Sequence, residues 1–258
     1  MSRLSTEHAA RSAEAQRLAG MLRESASTVV LTGAGVSVPS GIPDFRTPGT
    51  GMWEKVDPME VAHIDAFHRD TARFWRYFRP RFHELGSKEP NGAHRALAEL
   101  EARGLLDAVI TQNIDRLHRT AGSQRVIEVH GSIETSSCTS CGESVSIEEV
   151  ETLFTDHEIA VCRGCGGKVK PDVVLFGEFL PEGPMDEAQG LCEGCDLLIC
   201  VGSSLEVYPV AGLPELTLGA GGKLAVLTKG PTPYDGEAHI RLHGDVVEEL
   251  EAVLAALD

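Results

Sequence analysis

The sequence has no long hydrophobic run. No apolar stretch among its 258 residues approaches the roughly 20 residues that span a lipid bilayer. No early segment combines a basic start with a long apolar core, as a secretory signal would. We therefore expect a cytoplasmic protein with no membrane partner.

Positive charge is also scarce. The chain has 23 lysines and arginines against 39 acidic residues, which gives a formal net charge of −16. Such a balance disfavours duplex nucleic acid as a direct partner, and it favours basic peptides weakly. A hydrophobic content of 42% is ordinary for a globular protein of this length.

The chain lacks the complete glycine fingerprint of a dinucleotide-binding dehydrogenase. The glycine-rich residues 33–35 follow a predicted strand at 28–32, where backbone amides can approach a phosphate. A full fingerprint needs glycine at Val38 and an acidic residue that ends a second strand about 20 residues on. Glu54 and Asp57 lie near that distance, but in a predicted loop. A hydride-transferring dehydrogenase is therefore poorly supported, and a tight turn without a ligand remains an alternative.

The next segment, 38–46, contains two prolines and a glycine, which indicate a shaped loop. Phe45 would cover a flat ring, and Arg46 would bind a phosphate. The alternative is a turn-rich loop that Phe45 packs against the protein.

Alternating apolar patterns predict an α/β fold with a parallel sheet. Helical periodicity is found at 5–25, 65–85, 91–106 and from 245 to the last residues. Short apolar runs predict strands at 28–32, 107–111, 125–129, 196–201, 223–228 and 238–242, with a further run at 171–178.

Polar residues follow two of these strands. Gln112, Asn113 and Asp115 come after one strand, and His130 comes at the end of the next. Because residues just past the carboxyl ends of parallel strands line a ligand crevice, we expect these side chains to share one cleft. Such a cleft suits a polyhydroxylated ligand and the transfer of one proton. The alternative for His130 is a buried histidine with a structural hydrogen bond.

Four of the seven cysteines occur as two Cys-x-x-Cys pairs with 20 residues between them. Cys138, Cys141, Cys162 and Cys165 thus have the spacing of a tetrahedral zinc site. Four protein ligands leave no open position, so we expect one structural zinc ion in an inserted ribbon. Free or disulfide-bonded thiols are the alternative. Cys192 and Cys195 have the same Cys-x-x-Cys spacing but lie apart from the other pairs and lack partners. We interpret them as adventitious helix-end cysteines, with a second metal or redox site as the alternative.

The ordered motifs resemble the sirtuins, the NAD-dependent protein deacylases. They are GAGVS at 33–37, GIPDFR at 41–46, TQNID at 111–115, HG at 130–131, the paired cysteines, FGE at 176–178 and GSSL at 202–205. The resemblance is greatest to the stand-alone deacetylases of bacteria and archaea. It implies a Rossmann-like parallel-sheet domain (1–50, 91–135 and 171–258) and a smaller inserted domain. Helices (51–90) and a zinc ribbon (136–170) would form the inserted domain.

The resemblance also implies the reaction and its residues. NAD would be consumed, the acetyl group of a lysine would move to ADP-ribose, and nicotinamide would leave. His130 would be the general base, and Asn113 a second catalytic residue. Cofactor-binding residues would be Ala34, Gly35, Val38, Phe45, Arg46, Gln112, Asn113, Ile114, Asp115, Gly202, Ser203, Ser204, Thr228, Asp245 and Val246. An acetylated lysine peptide would bind as an added strand along Val173, Phe176, Gly177, Glu178, Leu205 and Val207.

Three positions depart from the family pattern. Thr228 stands where asparagine often contacts the adenosine ribose, and Val38 stands where a small polar residue is common. Family members that remove succinyl or malonyl groups carry Tyr-x-x-Arg in a small-domain helix. This chain has Trp75-Arg-Tyr-Phe78 there, so we expect a preference for acetyl.

Two other functions remain as alternatives. A mono-ADP-ribosyltransferase would use the same cleavage of NAD, and a broader lysine deacylase would use the same site. A module that binds a partner through the zinc ribbon is a third possibility, which the acidic charge and His130 disfavour.

Overall fold

The computed structural model describes residues 3–44, 49, 51 and 56–258, and the side chains from residue 13 onward. No helix in these described ranges has both the length and the apolar character needed to cross a membrane.

Nine strands are found in the described part of the chain. They are β1 Thr28–Thr32, β2 Ala108–Thr111, β3 Val126–Glu128, β4 Gly131–Cys138, β5 Ser144–Ser146, β6 Val169–Val173, β7 Leu197–Val201, β8 Lys223–Leu227 and β9 Ile240–Leu242. Six of them form a sheet in the order β3-β2-β1-β7-β8-β9. Every neighbouring pair in this sheet is parallel. The parallel sheet confirms the predicted α/β fold.

The described helices are α1 Arg3–Glu24, α2 Pro58–Val61, α3 Ile64–Arg69, α4 Thr71–Gly86, α5 Gly92–Ala102, α6 Leu117–Thr120, α7 Ile147–Val150, α8 Glu182–Gly194, α9 Leu213–Gly219 and α10 Val246–Leu257. Residues of α1, α5 and α10 pack on one face of the six-stranded sheet. Residues of α8 and α9 pack on the other face. Both faces are therefore buried, which explains why β1, β2 and β7 are continuous apolar runs without alternation.

A second, smaller sheet has the order β5-β4-β6 and is antiparallel. Its apolar core is separate and is built mainly from the aromatic residues of α3 and α4. Trp75 in α4 donates from Nε1 to the backbone O of Val169, at 3.2 Å. The separate cores support the proposed division at 1–50, 51–90, 91–135, 136–170 and 171–258. Strands β4 and β6 cross the boundaries at 135/136 and 170/171, although both pair within the smaller sheet.

Several predicted elements differ from the structure. The helix predicted at 65–85 is two helices, because the side chain of Asp70 accepts from the backbone N of Arg73 and caps a new start. The residues after β1 form two short 3₁₀ turns, Ala34–Val36 and Val38–Ser40, within the segment predicted as a loop. An apolar run was predicted at 171–178, but regular strand structure in this region, β6, ends at Val173. Helix α9 was not predicted from the sequence, and of α8 only the end, at Cys192 and Cys195, was predicted.

Two glycines with opposite surroundings test this packing. Gly20 lies inside α1, and a Cβ there would meet nothing within 4 Å. Gly20→Ala should therefore stabilise the protein by about 0.5–1 kcal/mol through the lower entropy of the unfolded chain. A Cβ at Gly35 would lie 2.7 Å from the backbone O of Gly202, so Gly35→Ala should destabilise. Urea unfolding of the two variants and the wild type measures both changes, and equal midpoints would contradict the close approach of residues 35 and 202.

Candidate active site and metal centre

The crevice lies between β1 and β7, where the order in which strands are added to the sheet changes from one side of β1 to the other. From β1 the chain adds β2 and β3 on one side, and it later adds β7, β8 and β9 on the other. In doubly wound sheets, this switch point at the carboxyl ends of the strands is the usual ligand site. The predicted residues Ala34 and Gly35 follow β1, and Gly202 and Ser203 follow β7. The fold therefore brings these two loops together at one opening.

The two loops are joined by backbone hydrogen bonds. Gly33 N donates to Val201 O at 3.1 Å, and Gly35 N donates to Gly202 O at 2.8 Å. A Cβ at Gly33 would lie 2.9 Å from the Cβ of Ser203. Both glycines are therefore required by close approach of the two loops.

Gln112 connects this opening to β2. Its Nε2 lies 2.9 Å from Ser203 Oγ and 3.4 Å from Thr32 O. Its backbone N donates to Thr32 O at 3.0 Å. Gln112 and Ser203 were both predicted as site residues, and the structure places them in direct contact.

Asn113 and Asp115 meet on one hydroxyl group. Asn113 Nδ2 donates to Ser37 Oγ at 3.1 Å and to Gly33 O at 3.2 Å. Ser37 Oγ donates to Asp115 Oδ2 at 2.6 Å. Burial raises the pKa of Asp115, and the hydrogen bond from Ser37 acts in the opposite direction. Ser37 was not predicted as a site residue, although it is the last residue of the GAGVS motif at 33–37.

A buried histidine completes the contacts of Ser37. His94 Nε2 lies 3.4 Å from Ser37 Oγ, and His94 Nδ1 accepts from the backbone N of Asn91 at 3.4 Å. Burial lowers the pKa of His94 to about 4, so the ring is neutral near pH 7. Sequence reasoning assigned residue 94 only to a helix, because a buried histidine on an amphipathic helix gives no periodic signal of its own.

His130 lies directly between β3 and β4 and has a defined tautomer. Its Nδ1 lies 3.0 Å from the backbone O of Gln112. A carbonyl oxygen only accepts, so Nδ1 carries the proton and Nε2 keeps a free lone pair when the ring is neutral. Burial lowers the pKa of His130, and the bond to Gln112 partly opposes this shift. The arrangement can accept one proton at Nε2 at neutral pH.

The remaining predicted cofactor residues have mixed positions. The side chain of Val38 is exposed, and that of Val246 is packed in the core. Asp245 caps α10 through Val247 N and pairs with Lys229 Nζ at 2.9 Å. The Ile114 carbonyl accepts from Ile133 N, and Thr228 O accepts from Arg241. Ser204 is exposed, and Phe45 and Arg46 lie outside the described residues.

Several backbone N–H groups of the predicted substrate-binding segment already donate hydrogen bonds within the chain. The N–H groups of Val174, Leu175 and Phe176 donate to His130 O, Glu178 Oε2 and Ala62 O respectively. The side chains of Val173 and Leu205 are buried, whereas those of Phe176 and Val207 are 44% and 36% exposed. An added peptide strand therefore needs backbone partners from Gly177 onward or from the segment at 205–208.

Two exposed aromatic residues lie at the ends of these segments. Phe179 is 98% exposed and Tyr208 is 67% exposed. Tyr208 ends the predicted substrate segment at 205–208, whereas Phe179 was not predicted; its apolar side chain directly after FGE was the available signal.

The four predicted zinc ligands form one cluster. The Sγ atoms of Cys138, Cys141, Cys162 and Cys165 all lie within 4.8 Å of one another. Backbone N–H groups point at the sulfur atoms, with Ser140 N and Gly167 N each 3.4 Å from a Sγ. Such donors, from residues 141 and 140, lower the pKa of Cys138 to about 6. Four thiolate-forming ligands at this separation fit one structural zinc ion.

The other cysteines lie elsewhere. Cys192, Cys195 and Cys200 are all buried in the apolar core beneath α8 and α9. Burial raises the pKa of Cys192 to about 12, which keeps the thiol protonated. Among the described residues, the four-cysteine cluster is the only group with three or more ligands that could hold a metal.

Comparison with known proteins gives the family. The Sir2 family model matches residues 33–209. The chain belongs to the Sir2 family. The NAD-dependent protein deacetylase of Thermotoga maritima is 44% identical over 91% of this chain and 94% of its own. NAD-dependent protein deacylase 2 of Archaeoglobus fulgidus is 44% identical over 93% of this chain and 95% of its own.

Solved Sir2 structures agree with this assignment. A Sir2 histidine-to-alanine variant with a deacetylated p53 peptide and 3′-O-acetyl-ADP-ribose superposes with a TM-score of 0.88, at 42% identity over 93% of this chain and 96% of that chain. A complex of Sir2 with a p53 peptide and NAD⁺ has a TM-score of 0.85, at 41% identity over 93% and 96%. The family predicted from the motifs is therefore confirmed, and the Rossmann-like architecture with it.

Metal analysis tests the cluster directly. We expect about one zinc ion per chain, and Cys162→Ser should lose it and lower the melting temperature, because a ribbon this small depends on its metal. Cys195→Ser is the matched control, since Cys195 is also buried but lies outside the cluster. Zinc content by plasma mass spectrometry and thermal unfolding measure the effect, and zinc retained by Cys162→Ser would contradict the ligand set.

Proposed function

We propose that this Sir2-family chain is an NAD-dependent protein-lysine deacetylase. It transfers the acetyl group of an acetyl-lysine side chain to ADP-ribose, with release of nicotinamide and O-acetyl-ADP-ribose. The proposal rests on the position of His130. Its Nδ1 is bonded to the backbone O of Gln112, which leaves Nε2 free beside Gln112 and Asn113. The Sir2 relatives solved with peptide, NAD⁺ or acetyl-ADP-ribose support the same chemistry.

The crevice at the strand switch point is the proposed NAD site. Its glycine loops place backbone N–H groups where a pyrophosphate can approach. Gln112 and Ser203 are proposed as ribose contacts, and Asn113 and Asp115 as contacts at the nicotinamide end. Bonds to Ser37 already orient Asn113 and Asp115, so little reorganisation is needed on binding.

Residues for the phosphates and the far ribose remain proposals as well. They are Ala34, Gly35, Val38, Phe45, Arg46, Ile114, Gly202, Ser204, Thr228, Asp245 and Val246. Lys229 and the helix cap both lower the pKa of Asp245, with Lys229 as the larger cause. Asp245 is therefore an anion near pH 7 and suits a ribose hydroxyl as a hydrogen-bond acceptor.

His130 is the proposed general base for a ribose hydroxyl. The proton at Nδ1 stays on the bond to Gln112, and Nε2 accepts the transferred proton. A lowered pKa keeps the ring neutral before the reaction, as a base requires.

An acetylated peptide is proposed to bind along Gly177 and Glu178 and along Leu205 to Val207. Glu178 is held by Lys170 Nζ at 3.1 Å and by Leu175 N at 2.8 Å, which fixes the end of the FGE segment. Exposed Phe176 and Val207 provide apolar contact beside the added strand. The zinc ion is structural, since all four of its ligands would come from cysteines.

The pH dependence of kcat/KM tests the base. Activity should fall as the pH drops through the pKa of His130, because only the neutral ring accepts a proton. Since burial lowers that pKa, the acid limb should have its midpoint below the ordinary histidine value of about 6.5. An acid limb centred clearly above this value would contradict the assignment of the limb to His130.

The variant His130→Ala separates chemistry from folding. We expect loss of the acid limb and a fall in kcat of about 10²–10⁴-fold, as for removal of a general base. Zinc content and melting temperature should stay near those of the wild type. His157→Ala is a matched control at an exposed histidine of the zinc ribbon and should retain activity.

The acyl group is proposed to be acetyl in preference to succinyl or malonyl. Arg76 lies 2.8 Å from Glu158, and Arg79 pairs with Glu151 and stacks on Phe154. Both arginines thus face the zinc-ribbon segment and already form ion pairs there. Neither is a free cation for a succinyl carboxylate.

A peptide panel with NAD, followed by mass spectrometry, tests the activity and the preference together. We expect turnover of acetyl-lysine peptide to exceed that of the succinyl peptide by at least about 10-fold, the scale of one missing charge contact. Equal rates would overturn the acetyl preference. Labelled ADP-ribose attached to protein, without deacetylation, would favour a mono-ADP-ribosyltransferase instead.

Cytoplasmic location and the absence of a nucleic-acid partner stay predictions from the sequence.

A further inference from the structure

His118 is a buried histidine that none of the roles above uses. It lies in α6, only 2% exposed, behind the cleft. Its Nε2 lies 2.9 Å from Thr32 Oγ1 at the end of β1. Its Nδ1 has no hydrogen-bond partner among the described residues. The bond to Thr32 is thus the polar contact through which the ring can act.

His118 is linked to the turn after β2 by a series of consecutive contacts. Its Nε2 is hydrogen-bonded to Thr32 Oγ1, which lies 2.8 Å from Thr111 Oγ1. Thr111 Oγ1 also accepts from the backbone N of Asn113 at 3.1 Å. One continuous line of hydrogen bonds therefore runs from His118 through the two threonines to the first turn after β2.

The charge state of His118 is fixed by its surroundings. Burial lowers the pKa of His118 well below the ordinary value, and the neighbouring His94 lowers it further. The two ring centroids are 4.8 Å apart, with His94 presented by α5. The ring is therefore neutral near pH 7 and acts through its hydrogen bond to Thr32.

The turn after β2 also holds the proposed base. Gln112 N donates to Thr32 O at 3.0 Å, and the Gln112 carbonyl accepts from His130 Nδ1 at 3.0 Å. A shift of residues 112 and 113 would therefore move both the amide of Asn113 and the ring of His130. Small displacements of this kind reduce catalysis strongly.

We propose that His118 is a positioning residue for the reaction. The hydrogen bond of its Nε2 to Thr32 Oγ1 holds the Thr32–Thr111 hydroxyl pair in place, and this pair holds residues 112 and 113 in the geometry that His130 and Asn113 need. The inference rests on the proposed function, because it concerns the geometry of that same site.

Four variants test the inference. His118→Leu removes the hydrogen-bonding group, and His118→Gln keeps a side-chain amide that can bond to Thr32 Oγ1. Thr32→Val removes the first hydroxyl group. The double variant His118→Leu/Thr32→Val completes a double-mutant cycle, which measures whether the two residues act together. Thr217→Val is the matched control, since Thr217 is a fully buried threonine that donates to Cys192 O on the other face of the sheet.

We expect His118→Leu to lower kcat by roughly 10-fold, the scale of a small misplacement, with the peptide KM nearly unchanged. His118→Gln should recover most of the loss. The double variant should be no worse than the more impaired single variant, because both act through one line of bonds. The acid limb should stay in place, since it belongs to His130. Thr217→Val should lower the melting temperature without lowering kcat.

Opposite results are distinguishable. If His118→Leu lowers only the melting temperature, or if Thr217→Val lowers kcat equally, the positioning role is overturned. Additive losses in the double variant would also overturn it. Should His118→Leu fail to fold, His118→Gln and Thr32→Val give the same comparison. Wild-type turnover of acetyl-peptide, measured alongside, shows whether the proposed function itself has failed.

Discussion

The close approach of two backbone segments at the switch point is the constraint on which the site depends. Gly35 N and Gly202 O are 2.8 Å apart, and neither loop has room for a side chain between them. This contact joins the carboxyl ends of β1 and β7, which are adjacent in the sheet but distant along the chain. Because the two loops touch at their base, the groups above them face the same opening. The crevice is thus produced by the fold and does not require a separate binding element.

Polar groups in the crevice are oriented by one another. Gln112 contacts Ser203, and Ser37 joins Asn113 to Asp115. A buried network with satisfied partners is rigid, whereas an unpaired buried carboxylate would be costly. The nitrogen left open is Nε2 of His130, because Nδ1 is held by a carbonyl. The geometry therefore separates binding groups, which have partners, from the one group that exchanges a proton.

The sequence predicted the parts of the site that follow local rules. Polar residues at strand ends and cysteines at ligand spacing carry their signal in a few neighbouring residues, and the structure brings both sets together. The contacts of Ser37, His94 and His118 were not predicted, because each depends on a partner from another segment of the chain. The helix break at Asp70 was not predicted, because the spacing of aromatic residues continues before and after it. The side chain of Asp70 nevertheless caps the start of a new helix. The start and extent of helix α8 were not predicted, because Gly183, Pro184 and Gly190 interrupt any regular apolar stripe.

The zinc ribbon and the proposed base are connected by a single strand. β4 begins at Gly131, next to His130, and ends at Cys138, the first cysteine of the cluster. Its partner β6 runs from Val169, opposite Cys138, to Val173, opposite Gly131. Val174 N then donates to His130 O, so the same pair of strands ends at the base and begins the substrate segment. A metal that fixes one end of this pair also fixes where the other end presents His130. Zinc would therefore support the reaction through strand position, with no contact to the reacting atoms.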